Sequence, residues 1–492
     1  MKRILQVLAV MMSAVQPILA ADICGDWSGR LKVSFFFRWC MALLSVMAVG
    51  SCASPSVPSG NVEVAGAGPA IVPDYADIVM PPNIAPLNFE IDMEGDEYVV
   101  RAVATGGKSL TAGGKTIRWD EDDWHELLEA SRGGQVEFEV YVRNGDSWRR
   151  YDFVNTVAGE EIDRYITYRL IEPSYEHFSG LTINQRDLTG FDESVVWNNP
   201  APCHERRGYC INCHVPRNHY RDHASLFHTR GAEGGTFIMA GDSVVKVNLK
   251  TDSTISAGVY PAWHPSLDIV AFSTNGTAQK FPARGRQKAE VFDTASDLIL
   301  YDMKTHEIRN IAADAALLET YPCWSPDGDH LYYSVAAYPE GVTPDNIGEH
   351  TEKIRYDIVR RGFNRATGAF SEADTVVGSS SGLESALLPR VSPDGRFLLY
   401  CKAPFGSFHI WHDESDLYLT DLRSGEERAL SSANSPVPKV ITHGRPIRGG
   451  SCSVHAATMA ATPALISHTS TRMAATAKRL WCRRKIPATT AA

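Results

Sequence analysis

The sequence predicts a mainly β protein, in which a small N-terminal β-sandwich is followed by a β-propeller that stops short at its C-terminus. Three observations predict it. Between about Pro81 and Pro173, short stretches alternate polar and apolar residues between Gly-, Asp- and Asn-bearing turns. Further on, one turn phrase returns three times, each time just ahead of an apolar strand. After Glu427 the 65 remaining residues contain no Asp or Glu, and the alternation stops.

Each segment has its own reading. At 492 residues and 44% hydrophobic content the chain can bury several cores, so disorder is not expected. A net charge of −10 and a pI near 5.9 argue against a phosphate-binding face, and nucleic acid is excluded as a partner. The N-terminus carries two export-like runs. Met1-Lys2-Arg3 leads into Ile4 to Ala20, the shape of a secretory signal. Lys32 and Arg38 then precede Cys40 to Val49, which closes in Val49-Gly50-Ser51-Cys52 and resembles the lipobox of bacterial lipoproteins. That resemblance implies lipidation at Cys52 and anchoring to a membrane, in the periplasm or at the cell surface. Neither run is long enough for a membrane span. The tandem arrangement suggests a mis-assigned start or a fused upstream frame. Residues 1–52 are therefore set apart as leader, and 53–75, rich in Ser, Pro, Gly and Ala, as a flexible linker.

Residues 76–175 hold the alternating stretches Asn88-Phe-Glu-Ile-Asp92, Val136-Glu-Phe-Glu-Val-Tyr-Val142 and Tyr165-Ile-Thr-Tyr-Arg-Leu170. Period-two alternation means half-buried strands, and a small immunoglobulin-like sandwich is expected. One short helix is expected over Asp122 to Ala130, with its acidic first turn placed to favour the helix dipole.

The repeat decides the second half. It reads Tyr260-Pro-Ala-Trp263-His-Pro-Ser, then Tyr321-Pro-Cys-Trp324-Ser-Pro-Asp-Gly328, then Leu388-Pro-Arg-Val391-Ser-Pro-Asp-Gly395, with 61 and 67 residues between equivalent positions. Pro fixes φ for the turn, Asp bonds back to the chain, and Gly accepts positive φ before the next strand. Strand quartets at such a period read as propeller blades. The phrase resembles the WD40-like repeat of the TolB propeller and of prolyl-oligopeptidase-type propellers over about residues 226–436. The resemblance implies a six-bladed fold, of which about four blades are countable here. We assign 231–436 to blades and 437–492 to an aberrant tail. At the chain's overall usage about eight acidic residues would be expected among the 65 residues after Glu427. Back-translating Thr442-His-Gly-Arg-Pro-Ile447 and reading from the third codon base yields Trp-Ser-Pro-Asp within wobble freedom, which suggests a frameshift near residue 437.

The segment 176–230, expected to be a connecting loop, carries Cys210-Ile-Asn-Cys213-His214. Two thiols at this spacing reach both vinyl groups of one haem c, and the following imidazole supplies an axial ligand to the iron. A distal ligand would come from His219, His223, His228 or Met239. The same donors, with Cys203-His204, also suit a tetrahedral zinc ion, and Cys210 with Cys213 could form a disulfide. Gly378-Ser-Ser380-Ser-Gly382 matches a nucleophile elbow in letters only, since no hydrolase strand and helix flank it. The patch Phe405, Phe408, His409, Trp411 and His412 reads as packing between blades, with a ligand-facing rim as the alternative. Asp327 and Asp394 read as turn formers. No catalytic constellation appears, so the expectation is an envelope lipoprotein whose propeller presents a haem for electron transfer. Its partners would be envelope proteins or a redox partner. The alternative is a non-redox TolB-like interaction scaffold with a structural Cys/His site.

Overall fold

Alternation builds the N-terminal region. A computed structural model describes residues 55–170, 182–198, 210–217, 225–230, 234–281, 289–378, 384–409, 412–430, 441–447, 450–455, 464–469 and 480–481, the last four ranges as backbone only. Strands β1 (Val62–Val64), β2 (Ile71–Val72), β3 (Val79–Met80), β4 (Phe89–Ile91), β5 (Glu97–Ala104), β6 (Ser109–Gly113) and β7 (Thr116–Ile117) precede helix α1 (Glu121–Ala130), and β8 (Gln135–Asn144) and β9 (Ser147–Val157) follow it. One sheet runs β1-β9-β8-β5-β6 with β3 also on β9, and a second runs β2-β4-β7. Val62 and Val64, placed by the sequence in the linker, pair in parallel with β9, so the ordered region starts earlier than residue 76.

Helix α1 starts where expected, and the cause is visible. The Asp120 carboxylate accepts from the backbone N–H of Asp122 and Asp123 at 3.1 and 3.4 Å. Trp124, Leu127 and Leu128, at the i, i+3, i+4 spacing of one helix face, are buried. The Trp124 indole N–H donates to Ile84 O at 3.1 Å, so its polar atom is satisfied inside the core. Around it lie Phe138 and Phe153, stacked with centroids 4.5 Å apart. Fully burying each such side chain contributes about 1.5–3 kcal/mol. A three-stranded sheet, β10 (Tyr165–Leu170), β11 (Thr182–Asp187) and β12 (Glu193–Asn198), adds Ile166 and Tyr168, with Leu188 beyond it, to the same core.

Among the described residues five four-stranded antiparallel meanders follow, the second and third joined into one eight-stranded sheet by a single parallel pairing, Ser296 with Leu318. The first is β13 (Cys210–Pro216), β14 (Ser225–Arg230), β15 (Gly235–Ala240) and β16 (Ser243–Val247). The second is β17 (Val259–Trp263), β18 (Ile269–Lys280), β19 (Glu290–Asp302) and β20 (Ile308–Ala312). The third is β21 (Leu317–Trp324), β22 (His330–Ala337), β23 (Asp357–Gly362) and β24 (Asp374–Val377). The fourth is β25 (Ser385–Val391), β26 (Phe397–Ala403), β27 (Asp416–Asp421) and β28 (Glu427–Ala429). The fifth is β29 (Ile441–Ile447), β30 (Gly450–His455), β31 (Ala464–Thr469) and β32 (Leu480–Trp481). The first strands β13, β17, β21, β25 and β29 lie next to one another in that order, which is how blades stand around an axis. The backbone of the tail thus continues as a meander where the sequence offers no alternation. The segment expected to be a connecting loop supplies strands β11 to β14, and the Cys-x-x-Cys-His motif lies on the first strand of the first blade.

The repeated phrase has a structural meaning beyond its turn. Tyr260, Tyr321 and Leu388 all take positive φ, at 49°, 56° and 60°. At the same three places the first strand of the blade bulges, between Val259 and Ala262, Thr320 and Cys323, and Leu387 and Arg390. The proline that follows each has no N–H to give, so the ladder breaks where it costs no donor. The turn then behaves as its residues require. The hydroxyls of Ser325 and Ser392 bond to Asp327 and Asp394, whose carboxylates accept from the N–H of Asp329 and Arg396, and Gly328 and Gly395 take φ of +78° and +69°. Adjacent blades share cores: Leu226 and Ile238 meet Trp263, Phe272 and Ile299, and Ala271 and Leu298 meet Trp324 and Tyr333.

Candidate functional site

Strand pairing places the Cys-x-x-Cys-His residues. In the β13–β14 ladder Cys210 is opposite Arg230, Ile211 opposite Thr229, Cys213 opposite His228 and His214 opposite Phe227, with a bulge between Ile211 and Cys213. In an unbroken strand residues three apart fall on opposite faces. The bulge absorbs Asn212, so Cys210 and Cys213 take positions opposite residues two apart on β14, which share a face about 6.5 Å apart. His228 is on that face, directly across from Cys213. His214 is on the other, opposite Phe227, and buried.

His228 is 3% exposed, and its Nδ1 lies 3.4 Å from Thr236 Oγ1 on β15, with which it is in register. The apolar contacts of this face with the second blade begin further along, at Val215, Leu226 and Ile238. The thiol positions are therefore at the end of the ladder, where β13 starts. Of the other expected ligands, Met239 is on β15 and 41% exposed. His219, His223, Cys52, Cys203 and His204 lie outside the described residues, as do the side chains of Cys210 and Cys213. Among described side chains no group of three His, Cys, Asp or Glu residues is arranged to hold a metal ion. Cys323 and Cys401 are not joined in a disulfide among the described residues.

A second constellation forms where residue patterns offered less warning. The end of the blade at which β13 begins is the end at which β14 leads into β15. In the next three blades the corresponding connections, from second to third strand, are enlarged and meet. Lys280, at the end of β18, donates to Gly348 O at 3.0 Å and Thr351 Oγ1 at 2.8 Å. Gly348 and Thr351 belong to the short 3₁₀ turns Ile347–Glu349 and Thr351–Lys353, between β22 and β23. Gly406, in the loop between β26 and β27, gives its N–H to Ile354 O at 3.1 Å. The Tyr321 hydroxyl donates to Ser407 O at 3.1 Å. Glu290 and His412, 122 residues apart and both buried, meet at 3.0 Å.

Electrostatics in this cap follow from its burial. Asp293 accepts from Asn275 Nδ2 and Thr277 Oγ1, each at 2.7 Å, so its carboxylate is spent on structure. Burial, with His412 beside it, holds His409 well below the ordinary histidine range, and the imidazole is neutral. Burial likewise pushes the Tyr321 and Tyr356 hydroxyls well up, and the Glu319 carboxyl up to about 7. The cleft lined by Asp293, Thr351, Tyr356 and Ser407 is water-sized and has no room for a substrate.

The aromatic patch expected between blades is found here. Phe405 stacks obliquely on His412 at 4.9 Å, and Phe408 approaches Tyr260 at 6.4 Å, while Trp411 lies outside the described residues. Residues 379–383, which include most of the Gly-Ser-Ser-Ser-Gly string, lie outside them too. Sequence reading missed Lys280 and Glu290 as cap residues. The available signal was the unequal repeat length, since an insertion shared by successive blades at one connection builds one surface.

No protein-family model and no curated protein matches this chain. Among solved structures, a puromycin hydrolase is 14% identical over 67% of this chain and 53% of its own, with a TM-score of 0.38. This chain thus spans about half the length of that enzyme. A prolyl endopeptidase is 10% identical over 66% and 49%, at 0.35. An auxiliary nutrient binding protein from Bacteroides thetaiotaomicron is 9% identical over 87% and 99%, at 0.34. At these scores none of them bears on what this chain does, and the blade assignment rests on its own sheet order.

Proposed function

We propose that this chain is an envelope lipoprotein in which a β-propeller scaffold carries a covalently attached haem c on its first blade, at Cys210 and Cys213. The supporting observation is the bulge in β13, which brings both thiol positions to one face at the end of a ladder, with an imidazole across from them. The donors suit the group: two thiols for the vinyl carbons and a nitrogen for the iron. Such a group, when bound, supplies single-electron transfer. The chain's own part is to hold the thiols on a rigid strand and to offer the enlarged loops at the same end of the blades as a contact surface for an envelope partner. Phe281, 60% exposed just past the end of β18, suits such a contact. Attachment of haem c takes place outside the cytoplasm, which agrees with the two export-like runs and with lipidation at Cys52. No helix among the described residues is long and apolar enough to cross a membrane.

One observation favours a second reading. His214, which the motif makes the axial ligand, is turned to the face opposite the thiols, and a zinc ion or a disulfide at Cys210 and Cys213 does not need it. The chain would then be an interaction scaffold without redox activity. Absorbance spectra of protein co-expressed with a haem c maturation system separate the two. A reduced α-band surviving acid-acetone extraction is expected, and Cys213→Ser should remove double attachment while the β-sheet circular dichroism persists. A colourless protein carrying zinc by metal analysis contradicts the haem reading.

A further inference from the structure

We propose that His264 is an acid-sensitive latch between the second and third blades, closed while its imidazole is neutral and released when the ring takes a second proton. His264 occupies the place held by Ser325 and Ser392 in the other two copies of the turn phrase, and it is fully buried. Its Nδ1 accepts the N–H of Ser266 at 3.1 Å and of Leu267 at 3.0 Å, within its own turn. The ring's one proton is therefore on Nε2, which donates to Gly328 O at 3.1 Å in the turn of the next blade. The fit is close: a Cβ at Gly328 would be 2.5 Å from the ring, and the imidazole is edge-on to Trp324 at 4.7 Å and beside Phe363 at 5.7 Å.

A second proton has one place to go, Nδ1, where two amide N–H groups already point. Protonation breaks both bonds and leaves a cation among aromatic rings. The charges around it offer little relief. Asp329, from the third-blade turn, is paired with Arg365 at 2.8 Å, and Asp268, from His264's own turn, with Arg217 at 2.6 Å and Lys304 at 3.1 Å. Burial, with Arg365 and Arg217 nearby, holds the imidazole down to about 4, against an ordinary 6.5. The latch is at full strength above pH 6.5 and is lost as the pH falls through about 4. Opening of the seam, which returns the ring to its ordinary value, becomes about 30-fold more favourable between pH 7.5 and 5. Ser325 and Ser392 do not titrate, so the other two turns lack this response. None of this depends on what Cys210 and Cys213 carry.

Hydrogen–deuterium exchange of the full chain at pH 7.5 and 5, corrected for the intrinsic rate at each pH, reads the latch at the amides of Ser266 and Leu267. Protection there should fall about 30-fold in the wild-type chain. The amides of Asp329 and Arg396, held by the carboxylates of Asp327 and Asp394, should keep theirs. His264→Asn, whose side-chain oxygen can accept the same two N–H groups but does not titrate, should show no such fall. Unchanged protection in the wild-type chain, or an equal fall in His264→Asn, overturns the proposal. Should His264→Asn not fold, as judged by circular dichroism, the triple variant His264→Ser, Ser266→Asp, Leu267→Gly gives this turn the Ser-Pro-Asp-Gly pattern of the others. Its turn should then hold its protection at both pH values, and a fall equal to the wild type's overturns the proposal in the same way.

Discussion

The sandwich and the blades bury their apolar residues in different ways, and the difference bears on where function can be placed. In the sandwich one cluster runs from Ile71 to Leu188 and takes side chains from both sheets and the helix, with Trp124 at its centre. In the blades the apolar residues are divided among smaller clusters, each lying between neighbouring sheets. A single core is decided by packing alone. A row of small seams leaves the ends of the sheets to be closed by something else, and here the closure is polar: Lys280, Glu290, His412 and Tyr321 tie together loops from three blades. The sandwich has loop-to-loop ties of its own, Asn83 with Ile162 and Arg132 with Gly159 and Glu161, but they lie on its exposed or half-buried rim, whereas the Glu290–His412 pair is buried.

The comparison can be broken most directly in the sandwich. Trp124→Ala removes a fully buried indole and leaves Ile84 O without its donor, at a cost of about 3–5 kcal/mol. Thermal unfolding followed separately by sandwich and blade tryptophans should show the first transition fall while the second stays put; a joint shift would mean the two regions unfold as one.

The next largest effect is in the cap. Glu290→Ala strands a buried imidazole, and a loss of about 2–3 kcal/mol is expected in chemical denaturation. Replacing both Glu290 and His412 by apolar residues should recover part of it, because neither desolvated group is then left alone. If the double variant is worse than the sum of the singles, the pair is not what joins the loops.

The smallest effect is a pH dependence. The folded value of the Glu319 carboxyl, about 7, is above its ordinary value of 4.5, so ionisation favours the unfolded chain. Its contribution to stability is complete below pH 4.5 and is lost as the pH rises through about 7. Glu319→Gln should therefore be more stable than the wild type at pH 8, by about 1–3 kcal/mol, and the two should converge near pH 4.5. Equal slopes for both chains would place the dependence elsewhere.

Much of this was legible in the sequence, for reasons that can be named. The helix at Glu121–Ala130 was visible because Asp120 and the acidic first turn precede an apolar stripe, all within eleven residues. The blades were visible because a Ser-Pro-Asp-Gly turn writes its geometry in local residue types. The bulge at Tyr260, Tyr321 and Leu388 was not, since positive φ at Tyr or Leu has no residue signature of its own. The strand character of Cys210 to Pro216 was hidden by its neighbours: prolines and glycine in the flanks suggested a loop, and pairing with Ser225–Arg230 depends on a segment a dozen residues away. For the same reason the sequence could nominate four distal ligands but not choose among them. Register, which decides the face each residue shares, is a property of two strands together.

The central claim is tested most directly by the tryptic peptide Gly208–Arg217 of the mature protein, which contains both cysteines and His214. Mass spectrometry of this peptide should find a single haem joined to Cys210 and Cys213, with neither thiol open to alkylation. Recovery of the peptide with two alkylated cysteines, or with a bond between them and no adduct, would contradict the account and leave the propeller as a scaffold alone.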